Sequence, residues 1–193
     1  MARQYEQKAR AESQEKTKQR IVEAAIHLHE TLGPARTTIT AIAEQAGVGR
    51  LTVYRHFPQE ADLFAACSSA YWERNPAPDP RRWRNIPDAS QRLRVALEET
   101  YSYHRQTALM ISRVLADVGG QPHMATYHEH WRNAADIVVT GWTGRSRVRR
   151  MSRAAVGHAL SFSTWESLTN DQGLSDREAI ELMMCLVECA TRR

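Results

Sequence analysis

The 193-residue sequence predicts an all-α fold, and three observations carry that expectation. Apolar residues recur at spacings of three and four from Ile21 onward, and no segment shows the period-two alternation of a strand. The periodic stretches are punctuated by helix-stopping residues at Gly33-Pro34, Asn75 to Pro80, Gly119-Gly120, Gly141 to Gly144 and Asn170 to Gly173. A chain of this length calls for one or two domains with a substantial core.

Residues 1–16 are polar, mixing Arg3, Lys8 and Arg10 with Glu6, Glu12 and Glu15. With so few apolar side chains they read as a flexible or frayed-helical basic arm, which either lies along nucleic acid or is a solvated tail. The first helix proper is expected from about Thr17 to Leu32, with Ile21, Ala25, Leu28 and Leu32 on one stripe. In the next segment Ile39, Ile42, Ala43 and Ala46 share a face, Thr38 stands at the N-cap position, and Gly47 follows the last periodic residue. A second short segment turns Val48, Val53 and Phe57 inward and leaves Arg50, Leu51, Thr52, Tyr54, Arg55 and His56 on or near the outer side.

Two short helices around a glycine turn make a helix-turn-helix, and the outer face of the second holds donors and no carboxylate. A major groove admits one helix and offers acceptors, thymine methyls and flanking phosphates. Arg50 can donate twice to a guanine edge, Leu51 and Thr52 can meet thymine methyls, and Tyr54, Arg55 and His56 can reach phosphates. The alternative from periodicity alone is an ordinary helical hairpin with a solvated basic side.

From Ile21 to Phe64 the order of residues resembles the DNA-binding domain of the tetracycline-repressor (TetR) family. The residues that carry the likeness are Thr37-Thr38-Ile39, Ile42-Ala43-Glu44, Ala46-Gly47-Val48, Thr52-Val53-Tyr54, His56-Phe57 and Leu63-Phe64. Three positions depart from the family's habits: Gly49 where Ser or Thr often opens the recognition helix, Leu51 where a small residue or proline is frequent, and Glu60 where many members have lysine. The resemblance implies a transcriptional regulator, a repressor released by a small-molecule effector, in which the helix expected at about Gln59 to Arg74 carries motion between ligand and DNA. With Leu51 in that place base preference cannot be copied from a relative, and it is the chemistry of the face itself that puts Arg50, Leu51 and Thr52 on bases and Thr38, Tyr54, Arg55 and His56 on phosphates.

The alternating prolines Pro76, Pro78 and Pro80 predict an extended, stiff connection and a domain boundary. The expected plan is therefore an arm at 1–16, a helix-turn-helix DNA-binding domain with its connecting helix at 17–75, and a helical-bundle ligand-binding and dimerisation domain at 76–193. Helices are expected at roughly 88–104, 106–117, 122–142, 147–170 and 175–191. Between Ala179 and Ala190 the polar residues are Glu181 and Glu188 alone, so the last helix has more apolar surface than one core requires. With 154–168 it is expected to form half of a four-helix homodimer interface, a wholly intrachain core being the alternative. Two recognition helices one turn of DNA apart would then read a near-palindromic operator. Tyr101, His104, Met110, Tyr127, Trp131, Phe162 and Trp165 are the materials for an effector pocket, although such residues at helical spacing also build ordinary cores.

The formal charge is +4, and residues 1–58 hold nine Lys and Arg against six Asp and Glu, so most of the excess sits with the expected reader. A run from Arg145 to Arg153 allows a general nucleic-acid binder, but it reads as a solvated loop around a helix start. Cys67, Cys185 and Cys189 form no CxxC pair; Cys185 and Cys189 read as small buried hydrophobes, with a redox switch as the alternative. His123, His128, Glu129 and His130 could suggest a metal, but on one helix His128 turns away from the others and no HExxH occurs. No dinucleotide, phosphate-loop or serine-nucleophile motif appears, so no enzyme, cofactor or metal is expected. The amino terminus lacks an apolar leader core and no run suits a membrane span, which places the expected protein in the cytoplasm.

Overall fold

In the computed structural model, which describes residues 2–118, 120, 124–142 and 146–191, every regular element is helical and no strand occurs among the described residues. The α-helices are α1 (Ala2–Thr31), α2 (Ile39–Ala46), α3 (Arg50–His56), α4 (Glu60–Arg74), α5 (Pro80–Trp83), α6 (Ala89–Val118), α7 (Ala125–Val138), α8 (Ser146–Ala159), α9 (Phe162–Glu166) and α10 (Asp176–Thr191), and a π-helical turn, Ser167–Asp171, follows α9. They divide into two compact units, residues 1–76 with 112–119 and residues 77–111 with 120–193.

In the first unit α1 buries Ile21, Val22, Ala25 and Leu28 against α2 and α4, and α2 packs on α3. Leu63, Cys67 and Tyr71 of α4 complete the core, as the sequence spacing implies. Burial pushes the Cys67 thiol up to about 12, so it behaves as a small apolar side chain. Gly33 stops α1 at φ 88°, and Pro34 opens a single 3-10 turn. The Ala35 N–H donates to Asp117 Oδ2 at 2.9 Å, and Thr37 Oγ1 donates to the Gly33 carbonyl at 2.8 Å. Arg74 of α4 forks onto Glu23 of α1, with one of its two bonds at 2.7 Å.

The second unit is a bundle in which α8 packs on α10 and α7, and α7 on α5. Its core holds Leu93, Leu97, Tyr101, Val138, Val156, Leu160 and Val187. Buried Arg92 ties the start of α6 to the end of α7, donating to the Ile86 carbonyl from Nη2 at 2.6 Å and also to the Thr140 carbonyl.

Several elements differ from the sequence expectation, each for a physical reason. The helix expected from Thr17 begins at Ala2, because nothing in 2–16 breaks a helix even though every described side chain from Tyr5 to Lys16 is exposed. The helices expected at 88–104 and 106–117 are one 30-residue helix, since the buried stripe Leu93, Leu97, Thr100, His104, Thr107 and Ile111 runs through without interruption. The proline segment is extended only as far as Asp79. Asp79 accepts from the Arg81 N–H at 3.0 Å and starts α5, with Pro80 at the first helical position. The helix expected at 122–142 ends at Val138, before Gly141 at φ 98°. That expected at 147–170 breaks at Leu160, where Ser161 caps α9 by accepting from Thr164 N at 3.3 Å.

Two surface expectations are corrected as well. Arg147, Arg149, Arg150 and Arg153 lie on α8 rather than in a loop; Arg145 lies outside the described residues. Cys185 and Cys189 are exposed in the chain rather than buried, because α10 turns Ile180, Met183, Met184 and Val187 inward instead.

Candidate nucleic-acid interface

Local chemistry in 37–57 sets up a presented helix. Thr38 Oγ1 accepts from the Ala41 N–H at 3.1 Å and so caps α2, while its own hydroxyl hydrogen stays available to an outside acceptor. Gly47 ends α2 in the left-handed region at φ 63° and ψ 43°, donating back to the carbonyls of Ala43 and Glu44. Arg20 of α1 braces the turn from outside, donating to the Ala46 carbonyl and, at 3.2 Å, to that of Gly47. Its guanidinium sits where the end of α2 concentrates negative partial charge. Sequence reasoning missed Arg20; its position immediately before the buried Ile21 gave no sign of the contact.

α3 follows with Gly49 at the N-cap and no side-chain cap bond, as the missing Ser or Thr implies. Val53 and Phe57 anchor it in the core, and the Lys18 ammonium lies 5.9 Å from the Phe57 ring. Of the expected reading residues, Thr38, Arg50, Leu51, Tyr54 and Arg55 are exposed, and Thr52 and His56 are half-buried. Leu51 is 85% exposed and Tyr54 47%. His56 has its Nε2 enclosed without a hydrogen-bond partner, so Nδ1 is the ring atom left for an outside acceptor. The face is thus one of cations, hydroxyls and an apolar side chain held in water, the mixture that phosphates and base edges complement.

The expected effector residues all lie in the second unit and all are buried. Trp131, Phe162 and Trp165 surround the His104 ring at centroid distances of 5.1, 5.4 and 5.9 Å, with Tyr101 at 6.4 Å and Tyr103 at 6.0 Å. Tyr127 reaches the group through Trp131, at 6.3 Å, and Met110 is buried farther along α6. Tyr101 donates from its hydroxyl to the Ala159 carbonyl at 3.1 Å, and His104 Nε2 lies 3.0 Å from the Leu160 carbonyl. Desolvation lowers the His104 imidazole to about 4, the bond to Leu160 opposing it, and burial raises the Tyr101 and Tyr127 phenols. Thr100, absent from the sequence expectation, is fully buried one turn before His104. A separate open groove, polar and lined by Asp88, Arg94, Met184 and Glu188 among others, includes none of the expected effector residues.

Among the described residues no three His, Cys, Asp or Glu side chains gather as a metal site; His123 lies outside those residues. No helix among them is long and apolar enough to cross a membrane.

A capped α2, a left-handed glycine turn and a short α3 with its donors toward solvent make the geometry of a helix-turn-helix. Residues 21–67 match the family model for bacterial regulatory proteins of the tetR family. Over these residues the chain therefore carries a DNA-binding domain of the tetR type, the mark of a DNA-binding transcriptional regulator. It is 39% identical over 66 residues to the HTH-type transcriptional regulator AcrR of Shigella flexneri, a match spanning 34% of this chain and 28% of that one. Its fold is similar to two solved TetR-type regulators from Rhodococcus sp. RHA1. One has a TM-score of 0.60 at 17% identity, over 89% of this chain and 93% of that one. The other has a TM-score of 0.51 at 21% identity, over 92% and 97%.

Proposed function

We propose that this DNA-binding regulator is a cytoplasmic repressor that holds a near-palindromic operator as a homodimer and lets it go when a small molecule enters the second domain. The observation that carries the reading is the exposed face of α3, where Leu51 stands 85% in water beside Arg50, Tyr54 and Arg55. An apolar side chain this exposed gains by meeting thymine methyls, and Arg50 beside it can fork onto a guanine. Arg50, Leu51 and Thr52 are assigned to bases. Thr38, Tyr54, Arg55 and His56 are assigned to phosphates, His56 through Nδ1.

Residues 1–16 are assigned to an arm, 17–75 to the DNA-binding domain and 76–193 to effector binding and dimerisation. Support for the dimer comes from α10, where Leu182, Cys185, Leu186 and Cys189 form an exposed apolar stripe, and from exposed Met151 on α8, the helix that packs on α10. Covering that stripe with a second copy removes it from water and sets two α3 helices one turn of duplex apart, about 34–36 Å. An effector that changes the spacing takes one half-site out of register. The buried aromatic group around His104 is assigned to that effector.

Selection of bound fragments from random duplex DNA tests the reading. A regulator of this kind enriches one inverted repeat and keeps its preference as salt rises, whereas a general binder follows phosphate number on any duplex. Failure to enrich a repeat ends the proposal.

A further inference from the structure

We propose that the effector is an uncharged, hydroxylated aromatic molecule whose hydroxyl donates to His104 Nδ1 and accepts from the Thr100 hydroxyl. The inference rests on the effector reading above and gives that site its chemistry. His104 is fully buried, and its Nε2 faces the Leu160 carbonyl at 3.0 Å. A carbonyl only accepts, so Nε2 carries the hydrogen and Nδ1 presents a lone pair. That Nδ1 is buried and has no hydrogen-bond partner, and the same holds for Thr100 Oγ1, one helical turn away on the same face of α6. Buried polar atoms are nearly always satisfied, so two such orphans one turn apart on the same face of one helix ask for a ligand. A hydroxyl answers both, because it donates once and accepts as well.

The surroundings fix the rest of the molecule. Trp131, Phe162 and Trp165 stand within 6 Å of the imidazole, centroid to centroid, which favours a flat apolar body. Charge is disfavoured in both signs. The carboxylate that reaches the cluster, Asp176, already accepts from the Trp165 indole at 2.9 Å and from two Arg105 nitrogens, each at 2.6 Å. A cation would find rings but no free counter-charge, and an anion would meet a neutral imidazole through its lone pair.

Calorimetric titration of the full-length protein with 4-ethylphenol, 4-ethylanisole and 4-ethylphenyltrimethylammonium tests this. 4-Ethylphenol is expected to bind at least about tenfold more tightly than its methyl ether, which keeps the oxygen and loses the donor; about tenfold corresponds to 1.4 kcal/mol. The cation should bind no better than the ether. His104→Phe should abolish the preference for the phenol, and Thr100→Val should reduce it several-fold. Equal binding of phenol and ether, no binding of the phenol, or a preference that survives His104→Phe overturns the proposal. If His104→Phe does not fold by circular dichroism, an unchanged preference in Thr100→Val overturns it instead. Release of the selected operator is measured in parallel. Compounds that release it equally from His104→Phe would leave the effector reading standing and end this one. Selective binding of the phenol without release by any compound would do the reverse.

Discussion

Replacing Gly47 with alanine tests the physical basis of the presented helix. The residue sits at φ 63° and ψ 43°, and holding a residue with a Cβ in the left-handed region costs about 1–2 kcal/mol. The new Cβ would also lie 2.9 Å from Nη2 of Arg20, closer than such atoms approach. Arg20 is a flexible side chain and can withdraw, but it then loses its bonds to the carbonyls of Ala46 and Gly47, worth about 1 kcal/mol at a partly exposed site. The sum is about 2–3 kcal/mol of local stability. Amide hydrogen exchange across α2 and α3 reads it directly, as an equal fall in the free energy of local opening. In an Arg20→Ala background the same substitution should cost only the backbone share, about 1–2 kcal/mol, since the clash is gone. Gly47→Asn should be milder than Gly47→Ala, because asparagine tolerates this conformation. Unaltered exchange in Gly47→Ala, or a full penalty persisting without Arg20, would refute the account of the turn.

Arg50→Ala should relax base preference at one position in each half-site by about 1–3 kcal/mol, whereas Tyr54→Phe should weaken all sites alike; binding to a panel of singly substituted operators separates the two. Leu186→Glu puts a charge on the exposed stripe of α10, where Leu186 is 53% exposed. Sedimentation should then show single protomers that stay helical, and a persistent dimer would mean that the partner sits elsewhere. His104 falls from an ordinary 6.5 to about 4 on folding, so its neutral form is favoured in the native state. The associated stability is complete above pH 6.5 and is lost as pH falls toward 4, about 3 kcal/mol in all. Urea midpoints measured from pH 7 to pH 4 should show that slope, and His104→Phe should remove its share, leaving that of His29 and His130, whose imidazoles burial also lowers.

The legible part of this protein was the part built from near neighbours. Thr38 caps the helix that begins one residue later, and Gly47 turns the chain that Ala46 has just ended; both effects act within four residues, so the spacing of 37–57 was enough to draw them. The same locality explains why Val53 and Phe57 were placed correctly in the core. The second unit was harder. Residues 104–106 show no breaker, and whether α6 bends there depends on what its buried stripe meets. Ser161 is a weak signal until its hydroxyl is seen to accept from Thr164.

The sequence by itself determined that the chain is helical, that a glycine-hinged pair of helices lies near its start, and that Val53 and Phe57 turn the second segment toward the core. These follow from periodicity and capping, which involve residues close in the chain. Tertiary structure alone decided that Arg20 would brace the turn, that α10 would leave Cys185, Leu186 and Cys189 in water, and that His104 and Thr100 would be enclosed with polar atoms unpaired. Burial and hydrogen-bond partnership depend on residues tens of positions away, and only the packed chain brings those within a few ångströms.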